Sequence, residues 1–343
     1  MTEPVAASAP PRRRVIAIHA EPVAGTGSRR RGRSFAQIGF FVLFAAAPVF
    51  DLFRFDPNAG HAWLLTFPWR LGIDDFLAGR VGATAAGLDI LLRLFLPILL
   101  GAGAFIYAAW RWGRLYCGWL CPHFSAVETI NGLMRRASGR HSIWDSQPTP
   151  AKRPDGSSLP QSAWWWIPTV LFAVGFAALW AVVLLTYLLP PAEVYGNLWN
   201  LAPTRNQALF LGAATGVLSL EFLFARHLFC RFGCAVGLFQ SLAWMANRGA
   251  LVVGFRRDRA GDCAACYADG GPQHPACEGV CPMRLRPRTQ KVKMFTCTQC
   301  TQCMDACATV QAREGREGLL QWVDGAAARK NEAQVSLTGE RDR

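Results

Sequence analysis

The chain has 343 residues, 52% hydrophobic and 17% charged, which is too apolar for an average soluble protein and too charged to lie wholly in lipid. Its mean hydropathy of +0.17 is what results when membrane helices and a polar region share one chain. Thirty-six basic against 23 acidic residues, with 13 Trp and 22 Phe, exclude a disordered acidic chain.

Residues 1–33 are rich in Pro, Ala and Arg, with Arg12, Arg13, Arg14, Arg29, Arg30, Arg31 and Arg33 and no apolar periodicity. They read as a disordered basic tail. An export signal is disfavoured, because Ala45, Ala46 and Ala47 run directly into Pro48, a poor cleavage site. Crossing a bilayer takes roughly 20 apolar residues. The pattern predicts spans at residues 34–53, 81–110, 164–189 and 208–229, the third anchored at the interface by Trp164, Trp165 and Trp166. Residues 62–69 are too short to cross and are expected on the interface.

The basic residues set the orientation. The tail carries 7 Lys+Arg, residues 54–80 carry 3, residues 111–163 carry 7, residues 190–207 carry 1, and the chain from Arg226 onward carries 17. By the positive-inside rule both termini and the middle loop face the cytoplasm, as in a multi-pass protein of a bacterial-type inner membrane. The net charge of +13 is then mostly topological, and a nucleic-acid partner drops out.

Two segments repeat. Arg114-Leu-Tyr-Cys117-x3-Cys121 follows the second expected span and His227-Leu-Phe-Cys230-x3-Cys234 follows the fourth. Each pair precedes a short amphipathic stretch, residues 124–134 and 236–245, read as an interfacial helix. Residues four apart on a helix share a face, so each pair is expected to present two thiols in one direction. Pseudo-twofold packing would then bring Cys117, Cys121, Cys230 and Cys234 together at the inner membrane surface. Such soft thiolates suit copper(I) or another thiophilic metal, or a cycling dithiol; small Cys residues packing at helix ends is the plainer alternative.

From Asp262 the composition changes. Cys263-x2-Cys266 and Cys277-x3-Cys281-Pro282 are followed by Cys297-x2-Cys300-x2-Cys303-x3-Cys307. The last run has the ferredoxin spacing for 4Fe–4S clusters, in which the fourth Cys serves the other cluster of a pair. Cys297, Cys300, Cys303 and Cys281 are therefore assigned to one cluster, and Cys263, Cys266, Cys277 and Cys307 to the other. In the first run the third Cys is displaced from position 269, where Asp269 stands, to Cys277, so Asp269 is the alternative ligand. A four-thiolate zinc site would use only four of these eight. The fold class expected is a mainly α membrane protein: a four-helix transmembrane bundle over residues 34–250, a small α+β two-cluster ferredoxin-like module over 251–312, and a polar tail over 313–343.

These motifs, in this order, resemble the NapH, MauN and FixG (CcoG) group of membrane polyferredoxins, and the membrane part of NosR is similar; the resemblance covers residues 35–310. The short NapH-like type is nearest, since the sequence has no apolar stretch after Val310. The FixG-like branch implies copper reduction during oxidase assembly.

Other residues carry less. No C-x-x-C-H occurs, which excludes c-type haem attachment, and neither G-x-G-x-x-G nor a Walker loop is present. His123 and His227 stand beside the Cys pairs as ligands, proton carriers or solvated histidines. Asp89, Arg93 and Glu221 are costly at membrane depth and are functional or ion-paired. The function expected is electron transfer between a quinol-linked membrane donor and a redox partner, as a component of an oxidoreductase system rather than a stand-alone enzyme. Copper handling, and redox sensing with structural clusters, are the alternatives.

Overall fold

The computed structural model describes residues 26–57, 60–144, 148–149, 152–266 and 275–338. Three helices are long and apolar enough to cross a membrane: Ala83–Trp112, Ala163–Thr186 and Arg205–Ala225. They cover the second, third and fourth expected spans.

The first expected span is different. The first helix runs Thr26–Ala46, so it begins inside the stretch read as a disordered tail, and residues 1–25 lie outside the described residues. Its first half holds Arg29, Arg30, Arg31 and Arg33, and its apolar half, residues 34–46, is too short to cross alone. Pro48 has no N–H to continue the helix, and the Phe44 carbonyl accepts instead from the Tyr187 hydroxyl at 2.7 Å. The apolar half still packs on a spanning helix: Phe41 stacks on Phe176 and Trp180, and Phe44 on Trp180. The arginine half reaches the opposite way, where Arg29 pairs with Asp305 at 3.4 Å. This helix thus ties the membrane portion to the C-terminal region.

On the side away from the cysteines, residues 62–69 belong to a three-stranded antiparallel sheet, Phe53–Asp56, His61–Leu64 and Phe67–Trp69. Its buried Arg54 is held by Asp51 and by Asp56, the latter at 3.0 Å. The charges at membrane depth are paired: Asp89 with Arg93 at 3.3 Å, and Glu221 with His123 at 3.2 Å. Arg93 and Glu221 each sit in a π-helical turn, Leu91–Phe95 and Glu221–Ala225, the wider winding that recurs at functional positions in helices.

The repeat is visible in three dimensions. Each copy runs from a span through a short turn carrying the first Cys (Leu115–Trp119, Phe229–Gly233) into a second helix (Pro122–Ser138, Ala235–Ala246). Pro122–Ser138 packs one face into the protein. Its Phe124, Val127, Ile130 and Met134 are buried at helical spacing, and most of this face meets Ala173 and Ala177 of helix Ala163–Thr186, whose small side chains allow close approach.

The C-terminal region closes with strand Val252–Phe255 paired antiparallel to Leu320–Val323. Residues 313–338 are therefore not a polar tail. Leu319, Leu320, Val323 and Ala328 are buried, and helix Gly325–Thr338 supplies Asn331, whose Oδ1 accepts from the Phe255 N–H at 3.2 Å. One core joins these residues to Phe124, Trp244, Met294 and the thiols of Cys277, Cys297, Cys303 and Cys307.

Candidate metal centres

The twelve thiols fall into three neighbouring sets, and backbone geometry places each. Cys297 and Cys300 lie on an irregular loop in which Gln299 and Thr301 take positive φ of 55° and 65°, winding the chain tightly. Cys303 opens helix Gln302–Arg313 and Cys307 follows one turn later. The helix thus turns Cys303 toward Cys281, Cys297 and Cys300, while Cys307 neighbours Cys263 and Cys266.

Cys281, Cys297, Cys300 and Cys303 line one pocket, walled also by Val253, Met283, Leu285 and Met294. Burial pushes the Cys281 thiol up to about 12, and neighbouring Cys300 adds to it. The Cys303 thiol is raised well above its ordinary value by burial, then by Cys300, Cys281 and Cys297. The Leu285 N–H donates to Cys281 Sγ at 3.3 Å.

In the second set, Cys277 sits on the short helix Ala276–Gly279, and Cys263 and Cys266 on the 3₁₀ stretch Arg257–Cys266. Burial raises the Cys277 thiol, Cys307 and Cys266 raise it further, and the Arg288 guanidinium opposes them. The Leu319 N–H donates to Cys307 Sγ at 3.3 Å. Asp269, the alternative to Cys277, lies outside the described residues.

The third set joins the two repeats. Burial pushes Cys117 up to about 12, with Cys121 and Cys234 beside it pushing the same way. Cys230 is raised by burial and then by Cys121, Glu221, Cys117 and Cys234. The members of a pair do not share a helical face as expected from their i, i+4 spacing. Cys121 and Cys234 have extended backbone, ψ 115° and 108°, and begin the following helices. At Cys121 the cause is Pro122, which disfavours helical conformation in the residue before it. Cys117 Sγ donates to Gln240 Oε1 at 3.1 Å and the Gly237 N–H to Cys234 Sγ at 3.5 Å.

Thiols bind metal as thiolates, so raised thiols mean that loading must release protons and be coupled to folding. Among the described residues, no group of three or more His, Cys, Asp or Glu could hold a metal ion. A zinc ion draws its sulfurs to about 2.3 Å, whereas a cubane spreads four thiolates over a wider frame. Four converging thiols, apolar walls and N–H groups aimed at sulfur fit a 4Fe–4S group.

Several functional neighbours had no spacing signal. Arg33 donates through Nε to the Gly118 carbonyl at 2.7 Å and pairs with Glu128 beside Cys300. Arg114, visible only as the residue opening the first Cys motif, lies buried among the thiols of the third set. The His123 ring lies tilted against Phe222 and Phe229; the His227 side chain lies outside the described residues.

A family model described as a 4Fe-4S binding domain matches the chain twice, at residues 94–141 and 206–252. These segments hold Cys117 with Cys121 and Cys230 with Cys234, so the match favours iron–sulfur chemistry there, and the copper considered among the alternatives is not supported. No curated protein and no solved structure matches the chain.

Proposed function

We propose that the chain is a membrane iron–sulfur electron-transfer protein of the NapH-like polyferredoxin type, with three 4Fe–4S sites in a row. The observation that carries this reading is adjacency. The set Cys117/Cys121/Cys230/Cys234 neighbours the set Cys281/Cys297/Cys300/Cys303 through Arg114, whose charge acts on Cys117, Cys234, Cys230 and Cys297. That second set neighbours Cys263/Cys266/Cys277/Cys307 through Cys303 and Cys277. Each group, when bound, supplies one-electron redox chemistry.

The chain's own residues bind, insulate and tune. The thiols hold iron, apolar walls such as Met283, Met294 and Leu285 exclude water, and N–H donors from Leu285, Gly237 and Leu319 stabilise negative charge on sulfur, which raises the potential. A quinol-linked donor fits the membrane-face set. Such a donor gives up protons with its electrons, and His123 Nε2, 3.2 Å from the Glu221 carboxylate, offers a half-buried acceptor two residues from Cys121. The electron would leave toward a redox partner through the set containing Cys277. The positive-inside rule supports an inner-membrane protein with all three sets and both termini in the cytoplasm.

The test is iron content with low-temperature paramagnetic resonance on anaerobically purified protein. Four iron per set gives about twelve per chain, and joint replacement of Cys117 and Cys230 by Ser should remove about four and abolish transfer from a quinol analogue. About eight iron, unchanged by the replacement, would return the membrane-face thiols to packing.

A further inference from the structure

Arg114 is 1% exposed, and a guanidinium so buried is costly unless its charge and its donors are matched. Two of its nitrogens are used: Nε donates to the Gly237 carbonyl at 2.6 Å and Nη1 to the Cys230 carbonyl at 3.2 Å. Nη2 is buried without a partner. The guanidinium packs closely on Gly237, where a Cβ would come within 2.4 Å of Nη2. The charges named as offsetting its burial belong to thiols, Cys117, Cys234 and Cys230 of the membrane-face set and Cys297 of the next, and burial still outweighs them. Neutral thiols leave this cation uncompensated; thiolates holding iron would balance it.

Resting on the three-site reading above, we propose that Arg114 is the charge-compensating positioning residue between the membrane-face set and the Cys281/Cys297/Cys300/Cys303 set. Its free Nη2 donor serves a sulfur of a loaded site, and its charge stabilises the reduced forms of both. The two flanking sites are thereby held at higher potential than they would otherwise have, and the distant set containing Cys277 is untouched.

The experiment is a redox titration of the anaerobic full chain, followed by paramagnetic resonance, with the signals assigned by Cys→Ser variants. R114Q should keep its iron and lower the potentials of the two flanking sites, leaving the Cys277-containing site unchanged, while R114K restores most of the loss. Retained iron with unchanged potentials would overturn the proposal. Where R114Q loses iron, R114K decides: iron retained by Lys means that the buried charge is what the sites need, and iron lost from both variants reduces Arg114 to a packing and hydrogen-bonding role. Iron content of the unmodified chain separates the two ideas. About eight iron per chain rejects the three-site reading, while the potential of the Cys297-containing site still reports on Arg114.

Discussion

A Cβ on Gly118 would lie 2.1 Å from the Thr298 carbonyl oxygen. The turn carrying Cys117 therefore packs backbone to backbone on the loop carrying Cys297 and Cys300. Gly118 is needed for space, since its φ is not positive. Gly118→Ala must push the two apart, an overpacking worth about 1–3 kcal/mol or more. The variant should lose iron faster and be cut sooner in the C-terminal region by limited proteolysis. Gly132→Ala is the control: it meets nothing within 4 Å in helix Pro122–Ser138, and should be neutral or gain roughly 0.5–1 kcal/mol.

Glu128 is a junction of three helices. It receives Arg33 and Gln37 from the first helix, with Gln37 Nε2 at 3.3 Å, and Gln302 Nε2 at 2.6 Å from the helix that carries Cys303. Arg33→Met strands a buried carboxylate and should cost about 3–5 kcal/mol. Arg33→Met with Glu128→Met removes both charges and should recover a large part of that loss. Thermal unfolding in detergent, arranged as a double-mutant cycle, gives the coupling; additive effects would show that the pair does not tie the first helix down.

What the sequence discloses here depends on how local the cause is. The ferredoxin spacing groups the C-terminal thiols because loop winding and one helical turn between Cys303 and Cys307 are properties of neighbouring residues. The three spans are equally local, being continuous apolar runs. The start of the first helix is not legible locally, because Arg29 and Arg33 have the pattern of a solvated tail and the partners that order them, Asp305 and Glu128, lie far along the chain. Strand Leu320–Val323 is four residues long and gains its stability from pairing with Val252–Phe255, so no periodicity announces it. Arg114 had no signature because its meaning lies in thiols brought from Cys230, Cys234 and Cys297.

Lys291 provides a pH signature. Its buried Nζ donates to the carbonyls of Trp244 at 2.6 Å and Asn247 at 2.7 Å and lies over the Trp244 ring. Burial lowers its pKa from 10.5 to about 8, against the opposing pull of Glu332. Between those values this group binds more protons in the unfolded chain than in the folded one, so the contribution of Lys291 to stability rises with pH from about 8 and levels off above 10.5. The gain is on the order of 3 kcal/mol by linkage. Lys291→Met lacks this group and should lose the slope, whatever its absolute stability after two carbonyls are left without a donor. Urea titrations at several pH values read this directly; equal slopes in the two proteins would mean that Lys291 stays charged.

Iron removal should act on one part of the molecule. Cys277, Cys297, Cys303 and Cys307 belong to the same buried core as Val253, Met294 and Leu319, so unloading their sulfurs exchanges bound metal for buried thiols or repelling thiolates. Helix Ala163–Thr186 packs elsewhere, Ala173 and Ala177 against Val127, Ile130 and Met134 of Pro122–Ser138. An iron chelator applied anaerobically should therefore abolish hydrogen-exchange protection at the Leu285 and Leu319 amides, both of which donate to cysteine sulfur at 3.3 Å, while amides within Ala163–Thr186 stay protected. The ordering follows from local stability, since regions open separately when their contacts are separate. Protection at Leu285 and Leu319 that survives complete loss of iron would show that the C-terminal fold stands without metal, and that its thiols are organised by packing alone.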